Sequence, residues 1–331
     1  MSWFNLDFGD FTVAFLSILF EGVPFLLLGS LISGLVDVFV SSERIAKLVP
    51  RNNVLAVFTA GLLGLFLPMC ECGSVIVIRR FIRKGLPVGM AVTYMLAAPI
   101  VSPIVAFSTF TAFPYDNPWL LVGMRLGMGY AIAVAVGLII SRIPAHRILN
   151  PAILPENAAN RRAGLHIAGS ADGAVPPDFA QIVAAASFPR KLLLAVQSAT
   201  ADFLDVAFYY IIGAGLTSAF NRGIVQSSLE TFATSPLLSI IALMVLAALL
   251  AQCSTTDAFL AASFPRSFVM ESKLAFLVFG PMFDLKLFWL YGLIFRRRVV
   301  SLLSVGLFLV VGVLCWRMAA LGLWGAPPVV P

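Results

Sequence analysis

Apolar runs long enough to cross a bilayer as helices alternate with short polar breaks from Phe11 to Trp324. The first run, Phe11 to Val40, is uninterrupted. Asn53 to Ile78 is broken by Pro68-Met69-Cys70-Glu71-Cys72-Gly73, and Leu86 to Phe113 by Ala98-Pro99-Ile100-Val101-Ser102-Pro103, where each proline removes a backbone donor. Leu120 to Ile140 is unbroken again. The same succession then returns: Leu192 to Phe220, Pro236 to Phe264 broken by Gln252-Cys253-Ser254-Thr255-Thr256-Asp257, Leu274 to Phe295 interrupted at Gly280-Pro281, and Val299 to Leu323. The pattern predicts an all-α fold, a polytopic transmembrane helical bundle. Membrane repeat 1 covers residues 1–141, a mobile cytoplasmic linker of Ala, Gly, Pro and charge covers 142–190, and membrane repeat 2 covers 191–331.

Laying the halves over each other puts Glu21 on Asp205, Gly29 on Gly213, Cys70 on Cys253, Pro99 on Pro281 and Ser102 on Asp284, at a nearly constant offset. Basic clusters flank the first broken segment: Arg44, Lys47 and Arg51 before it, Arg79, Arg80, Arg83 and Lys84 after it. If both clusters are cytoplasmic, that segment is a re-entrant hairpin turning at Cys-Glu-Cys, with non-helical backbone enclosed by protein or a water-filled cavity. Each half then has three spans plus a hairpin, and the odd number of crossings makes the two halves inverted repeats. Such repeats place a binding site near mid-membrane at their interface. If each broken segment crosses instead, the chain has about eight crossings, and the pattern leaves both arrangements open.

Composition excludes an ordinary soluble domain: 60% of residues are hydrophobic, only 11% are charged, and the mean hydropathy is +0.98. The formal charge of +6 does not point to nucleic acid, because most Lys and Arg lie in short clusters between spans, as topology determinants do. Arg222, Arg266 and Lys273 depart from that distribution. Met1 to Asp10 has acidic residues and no basic stretch, so the first span is expected to be retained rather than cleaved. Cys70, Cys72, Cys253 and Cys315 lie in or beside apolar segments, which argues against a disulfide framework. No phosphate-binding Gly-x-x-x-x-Gly-Lys-Ser/Thr occurs. The expected partners are therefore a small-molecule or ion solute and the lipid bilayer, with self-association compatible, no cofactor and no nucleic acid.

The candidate chemistry gathers at the breaks. Cys70, Glu71 and Cys72 put two thiols and a carboxylate where helix ends free backbone groups, a set suited to a soft or thiophilic solute, with Cys70 and Cys72 as candidate metal ligands. The competing reading is that the cysteines are small apolar residues filling a tight turn. An acid at that depth must face a cavity, a partner or a proton path. Pro99, Ser102, Gln252, Cys253, Ser254 and Thr255 complete the candidate solute contacts, while Glu21, Asp205, Asp257 and Asp284 are candidates for ion coupling. Glu21 and Asp205 form either a paired-acid proton site or structural ion pairs with a base such as Arg125. Asp284 and Lys286 are close enough in sequence to pair with each other.

Leu67-Pro68-Met69-Cys70-Glu71-Cys72-Gly73-Ser74, then Arg79-Arg80-Phe81, then Ala97-Ala98-Pro99-Ile100-Val101-Ser102-Pro103 resembles the predicted permease family of YraQ-like, UPF0718-type proteins and organoarsenical efflux permeases. The resemblance covers most of both halves and excludes the linker. It implies a multi-pass permease of the cell inner membrane, and its arsenical branch implies export of trivalent, thiol-reactive species. A membrane thiol oxidoreductase using Cys70 and Cys72, or a channel needing no coupling acids, are the alternative readings of the same residues.

Overall fold

The computed structural model describes residues 8–39, 49–50, 52–66, 69–151, 187–221, 235–265, 267–322 and 324. Each half begins with one long helix, α1 (Phe8–Phe39) or α8 (Phe188–Asn221). Two interrupted segments follow. In the first half these are α2 (Asn53–Phe66) with α3 (Glu71–Arg83), and α4 (Val88–Ala97) with α5 (Pro103–Ala112). In the second half they are α9 (Pro236–Leu250) with α10 (Asp257–Ser263), and α11 (Met270–Met282) with α12 (Leu285–Tyr291). Long helices α6 (Pro118–Ser141) and α13 (Arg297–Leu321) close the halves. A single turn, α7 (Ala145–Ile148), follows α6.

Local chemistry accounts for the starts and stops. Pro103, Pro118 and Pro236 stand at the beginnings of α5, α6 and α9, where a missing N–H costs nothing and the fixed φ suits the first turn. Ser102, Ser235 and Asp284 cap their helices, the last through a 2.6 Å bond from the Leu287 N–H to Oδ1. Ala251 ends α9 in the left-handed region at φ 47°, a conformation costly for a residue with a Cβ. Pro281 does not itself break its segment. It lies inside the last turn of α11, and the helix stops two residues later at extended Phe283 and Asp284.

Five helices are long and apolar enough to span a bilayer: α1, α6, α8, a stretch from Met270 to Gly292 and α13. Their outward faces carry large exposed apolar side chains, among them Phe20, Leu28, Phe208, Leu302 and Leu309. Water would penalise such faces and lipid accommodates them, so the chain is a multi-pass helical membrane protein. The interior belongs to the interrupted segments, with α4 buried from Gly89 to Ala97 and α11 buried from Glu271 to Met282.

The packing nearly repeats when the halves are exchanged. α1 lies along α8. α2 packs on α4 and α6 as α9 packs on α11 and α13, and α3 crosses to α12 as α10 crosses to α5. The limbs of an interrupted segment do not pack on each other: α2 lies against α4 and α6, whereas α3 lies against α1, α4 and α12. Gly29 and Gly213, aligned in the sequence, play matching parts. A Cβ at Gly29 would sit 2.9 Å from Cα of Gly73 in α3, and one at Gly213 would sit 2.9 Å from Cα of Lys286 in α12. Each long helix thus presses backbone-to-backbone on the first turn of a half-helix.

The segment expected to be a mobile linker is partly docked. Residues 142–151 are described, with the Asn150 N–H bonded to Ile294 O at 2.9 Å and the Arg296 N–H to Ile148 O at 2.9 Å. Residues 152–186 of it, with His166, Arg161 and Arg162, lie outside the described residues, as do Arg44, Lys47 and Arg51.

Candidate functional site

At the first break Cys70 is the N-cap of α3, its sulfur accepting the Gly73 N–H at 3.3 Å. That holds the Cys-Glu-Cys sequence on the opening turn of the half-helix, beneath the close approach of α1. Glu71, the first residue of α3, is 1% exposed. Its Oε1 lies 3.4 Å from Lys286 Nζ of α12, and its Oε2 has no hydrogen-bond partner among the described residues. Lys286 Nζ also lies 3.6 Å from Asp284 Oδ2 and 5.9 Å from the Tyr210 ring centre, near enough for a cation–π contact. The Tyr210 hydroxyl donates to Ile18 O at 2.7 Å and its ring end rests against Gly22.

Together these residues enclose a cavity of about 10 Å³, room for roughly one water molecule. Cys70, Cys72 and Glu71 come from the first half, Cys253, Lys286 and Tyr210 from the second, and Glu21 and Phe25 from α1. Three of the four cysteines in the chain therefore meet at one point between the halves, all as free thiols. Among the described residues no group of three His, Cys, Asp or Glu side chains is close enough to hold a metal ion. A larger cavity, about 110 Å³, lies between α2, α4 and α6 beside Val57, Gly89 and Ser141, and no ionisable side chain lines it.

The second break is built to match but closes differently. Asp257 opens α10 as Glu71 opens α3, and it too meets a cation from the opposite half. Arg125 of α6, fully buried, places Nη2 2.9 Å from both Asp257 oxygens and 3.0 Å from Ser254 O, and Nη1 2.7 Å from Thr109 Oγ1. A single guanidinium nitrogen thus serves both carboxylate oxygens, while Arg125 Nε has no hydrogen-bond partner among the described residues. Asp257, expected among the coupling acids, is held in an interior ion pair, and the acid that Arg125 takes is neither Glu21 nor Asp205.

Those two acids do not pair with each other either. The Thr256 hydroxyl donates to Glu21 Oε1 at 2.8 Å, while Asp205 meets Arg79 Nη1 at 3.2 Å. Of the second basic cluster, Arg79, Arg80 and Arg83 lie within the last turns of α3, with Arg79 and Arg80 buried. Arg80 binds Asp202 at 2.7 Å, Asp37 at 3.2 Å and the Ser198 hydroxyl at 2.8 Å, and Ser33 donates to Asp202 at 2.7 Å. Lys84 Nζ donates to Val36 O and Asp37 O at 2.9 and 2.7 Å. These charges are neutralised by α1 and α8, which explains how they sit inside a membrane protein.

The remaining expected contacts stand apart from the cysteine cavity. Pro99 is buried at the turn between α4 and α5, and Ser102 caps α5. Gln252 bonds loosely to Leu250 O at 3.5 Å, Ser254 lends its carbonyl to Arg125, and the Thr255 hydroxyl lies 3.8 Å from the Cys253 sulfur. Sequence reasoning did not foresee Tyr210, Gly22 or Ile18 at the site. The available signal was the neighbourhood of Glu21, since a glycine beside an intramembrane acid marks a close approach.

Comparison with known proteins agrees with this architecture. Residues 7–317 match the family ArsP_1, described as "Predicted permease". The UPF0718 protein YcgR of Bacillus subtilis is 35% identical over 290 residues, 87% of this chain and 90% of that protein. A Streptococcus mutans protein named "Putative two-component membrane permease complex subunit" is 29% identical over 307 residues, 91% of this chain and 94% of that one. No solved structure matches. With the family covering nearly the whole chain and the fold that of a multi-pass helical membrane protein, the chain belongs to the predicted permease family and is a transporter rather than an enzyme.

Proposed function

We propose that the chain is a secondary transporter of the cell inner membrane that passes a soft or thiophilic solute, such as a metalloid or metal species, through the cavity at Cys70, Cys72 and Cys253. The observation that carries this reading is the meeting of three thiols from two different breaks at one point between the halves. Thiolates are soft ligands, and a solute that exchanges between separate thiols is held without being trapped. A cavity of about 10 Å³ admits no such solute, so the conformation described is a closed one. Opening it requires α1 and α8, which carry Glu21, Gly22 and Tyr210, to move against α3 and α12. The near-exchange of packing between the halves supports inverted repeats that rock about this point. The name of the Streptococcus mutans relative supports a second subunit as a partner.

Proteoliposomes loaded in turn with arsenite, trivalent organoarsenicals, divalent zinc and sulfur oxyanions test the reading. Wild type should move at least one thiophilic solute, and Cys70→Ser/Cys72→Ser should lose about tenfold or more of that flux. Equal flux from both proteins removes the thiol site. Movement of the sulfur oxyanions alone replaces the solute class.

A further inference from the structure

The larger cavity shares no lining residue with the cysteine cavity, and its position gives it a different use. α6 ends at Ser141, α2 begins at Asn53 and α4 begins at Val88, and all three helix ends line it. It therefore lies where a helix long enough to span the bilayer leaves it. Val57, Met90, Ile140 and Ile143 make its wall apolar, with Asn53 and Ser141 as polar members at the helix ends. At about 110 Å³ it approaches the roughly 150 Å³ of apolar cavities that take up a benzene ring.

The surface beside this cavity is basic. Arg142 follows the lining residue Ser141, and Arg147 stands two residues past the lining residue Ala145. Backbone pairing then brings in the other half of the chain. The Arg296 N–H bonds to Ile148 O at 2.9 Å and its Nε to Leu149 O at 3.2 Å, which sets Arg296, Arg297 and Arg298 next to Arg147. All five arginines are exposed, and among the described residues no carboxylate pairs with any of them. Basic clusters at the end of a membrane span attract anionic lipid, each arginine near the surface adding to the attraction.

We propose that the cavity and its basic rim form a binding site for one anionic phospholipid. The phosphate sits on Arg142 and Arg147, the upper methylenes of an acyl chain enter the cavity, and Arg296, Arg297 and Arg298 select a negative headgroup over a zwitterionic one. A free anion would use the arginines and leave the apolar cavity empty. A purely apolar molecule would fill the cavity and leave the arginines without a counter-charge. A phospholipid answers both, and the bilayer supplies it. The headgroup then bridges the end of α6 in the first half and the head of α13 in the second. The site does not rest on the solute pathway proposed above.

The test is native mass spectrometry of the purified full chain in detergent, offered equal amounts of phosphatidylglycerol and phosphatidylcholine with the same acyl chains. Wild type should retain one phosphatidylglycerol with about tenfold preference, and Arg142→Gln/Arg147→Gln should bring that preference close to unity. Both positions are exposed, so this variant should fold as wild type does. Ala145→Trp, at an exposed lining position, should lower retention severalfold with every arginine in place. A large excess of glycerol phosphate should not displace the lipid. Equal retention of the two lipids by wild type, an unchanged preference in the arginine variant, unchanged retention by Ala145→Trp, or displacement by glycerol phosphate overturns the proposal. Cys70→Ser/Cys72→Ser should hold the lipid as wild type does, so the solute reading and this one fail separately.

Discussion

The two interrupted segments led by Glu71 and Asp257 differ less in plan than in finish. Each puts an acid on the first turn of a half-helix and each acid meets a cation supplied by the other half of the chain. Around Asp257 every contact is short, with Arg125 Nη2 2.9 Å from both oxygens. Around Glu71 the contact is 3.4 Å, one oxygen is bare, and three thiols surround a small cavity. The difference teaches a division of labour: one break ties the halves together through a close ion pair, and the other, left under-satisfied, is the one proposed above as the point of passage.

The largest expected effect breaks the fastening. Arg125→Ala or Asp257→Ala should each cost about 3–5 kcal/mol, because the survivor is a buried unpaired charge, and denaturant unfolding in detergent would measure it. Arg125→Met/Asp257→Leu should recover most of that loss. Gly29→Ala comes next, at about 1–3 kcal/mol, since the new methyl group meets Gly73 backbone at 2.9 Å and α1 must shift off α3. A loss of the same size from Gly213→Ala would extend the correspondence between the halves. Glu71→Gln should cost about 1 kcal/mol or less, as Lys286 keeps Asp284, and a cost matching that of Asp257→Ala would erase the contrast between the breaks. Smallest is Ala251→Gly. Relief of the left-handed backbone at φ 47° is partly offset by glycine's greater freedom when unfolded, leaving a gain on the order of 0.5 kcal/mol in the same assay.

The order of long and interrupted segments was legible from the apolar runs and their Pro and Cys breaks, because membrane depth forces both features into the local pattern. The alignment of Gly29 with Gly213 and of Ser102 with Asp284 also carried structural meaning: the first pair makes matching close approaches, and the second pair caps matching half-helices. Charge was harder to read. Arg79 and Arg80 follow an apolar run as a cytoplasmic loop would, and only their burial against Asp205 and Asp202, more than a hundred residues away, reveals them as interior. The partners of Glu71 and Asp257 are equally remote in sequence, so local spacing singled out the acids but not the bases that hold them. Tyr210 went unseen because an aromatic within an apolar span is ordinary until a cation lies against its ring.

The contrast between the breaks is tested most directly by comparing solute flux in two folded variants reconstituted side by side with wild type. Cys70→Ser/Cys72→Ser should fold normally and lose about tenfold or more of the flux of a thiophilic solute, whereas Arg125→Met/Asp257→Leu should transport within a fewfold of wild type. Wild-type flux from the cysteine variant, or abolished flux from a well-folded Arg125→Met/Asp257→Leu, would contradict the assignment of passage to one break and fastening to the other.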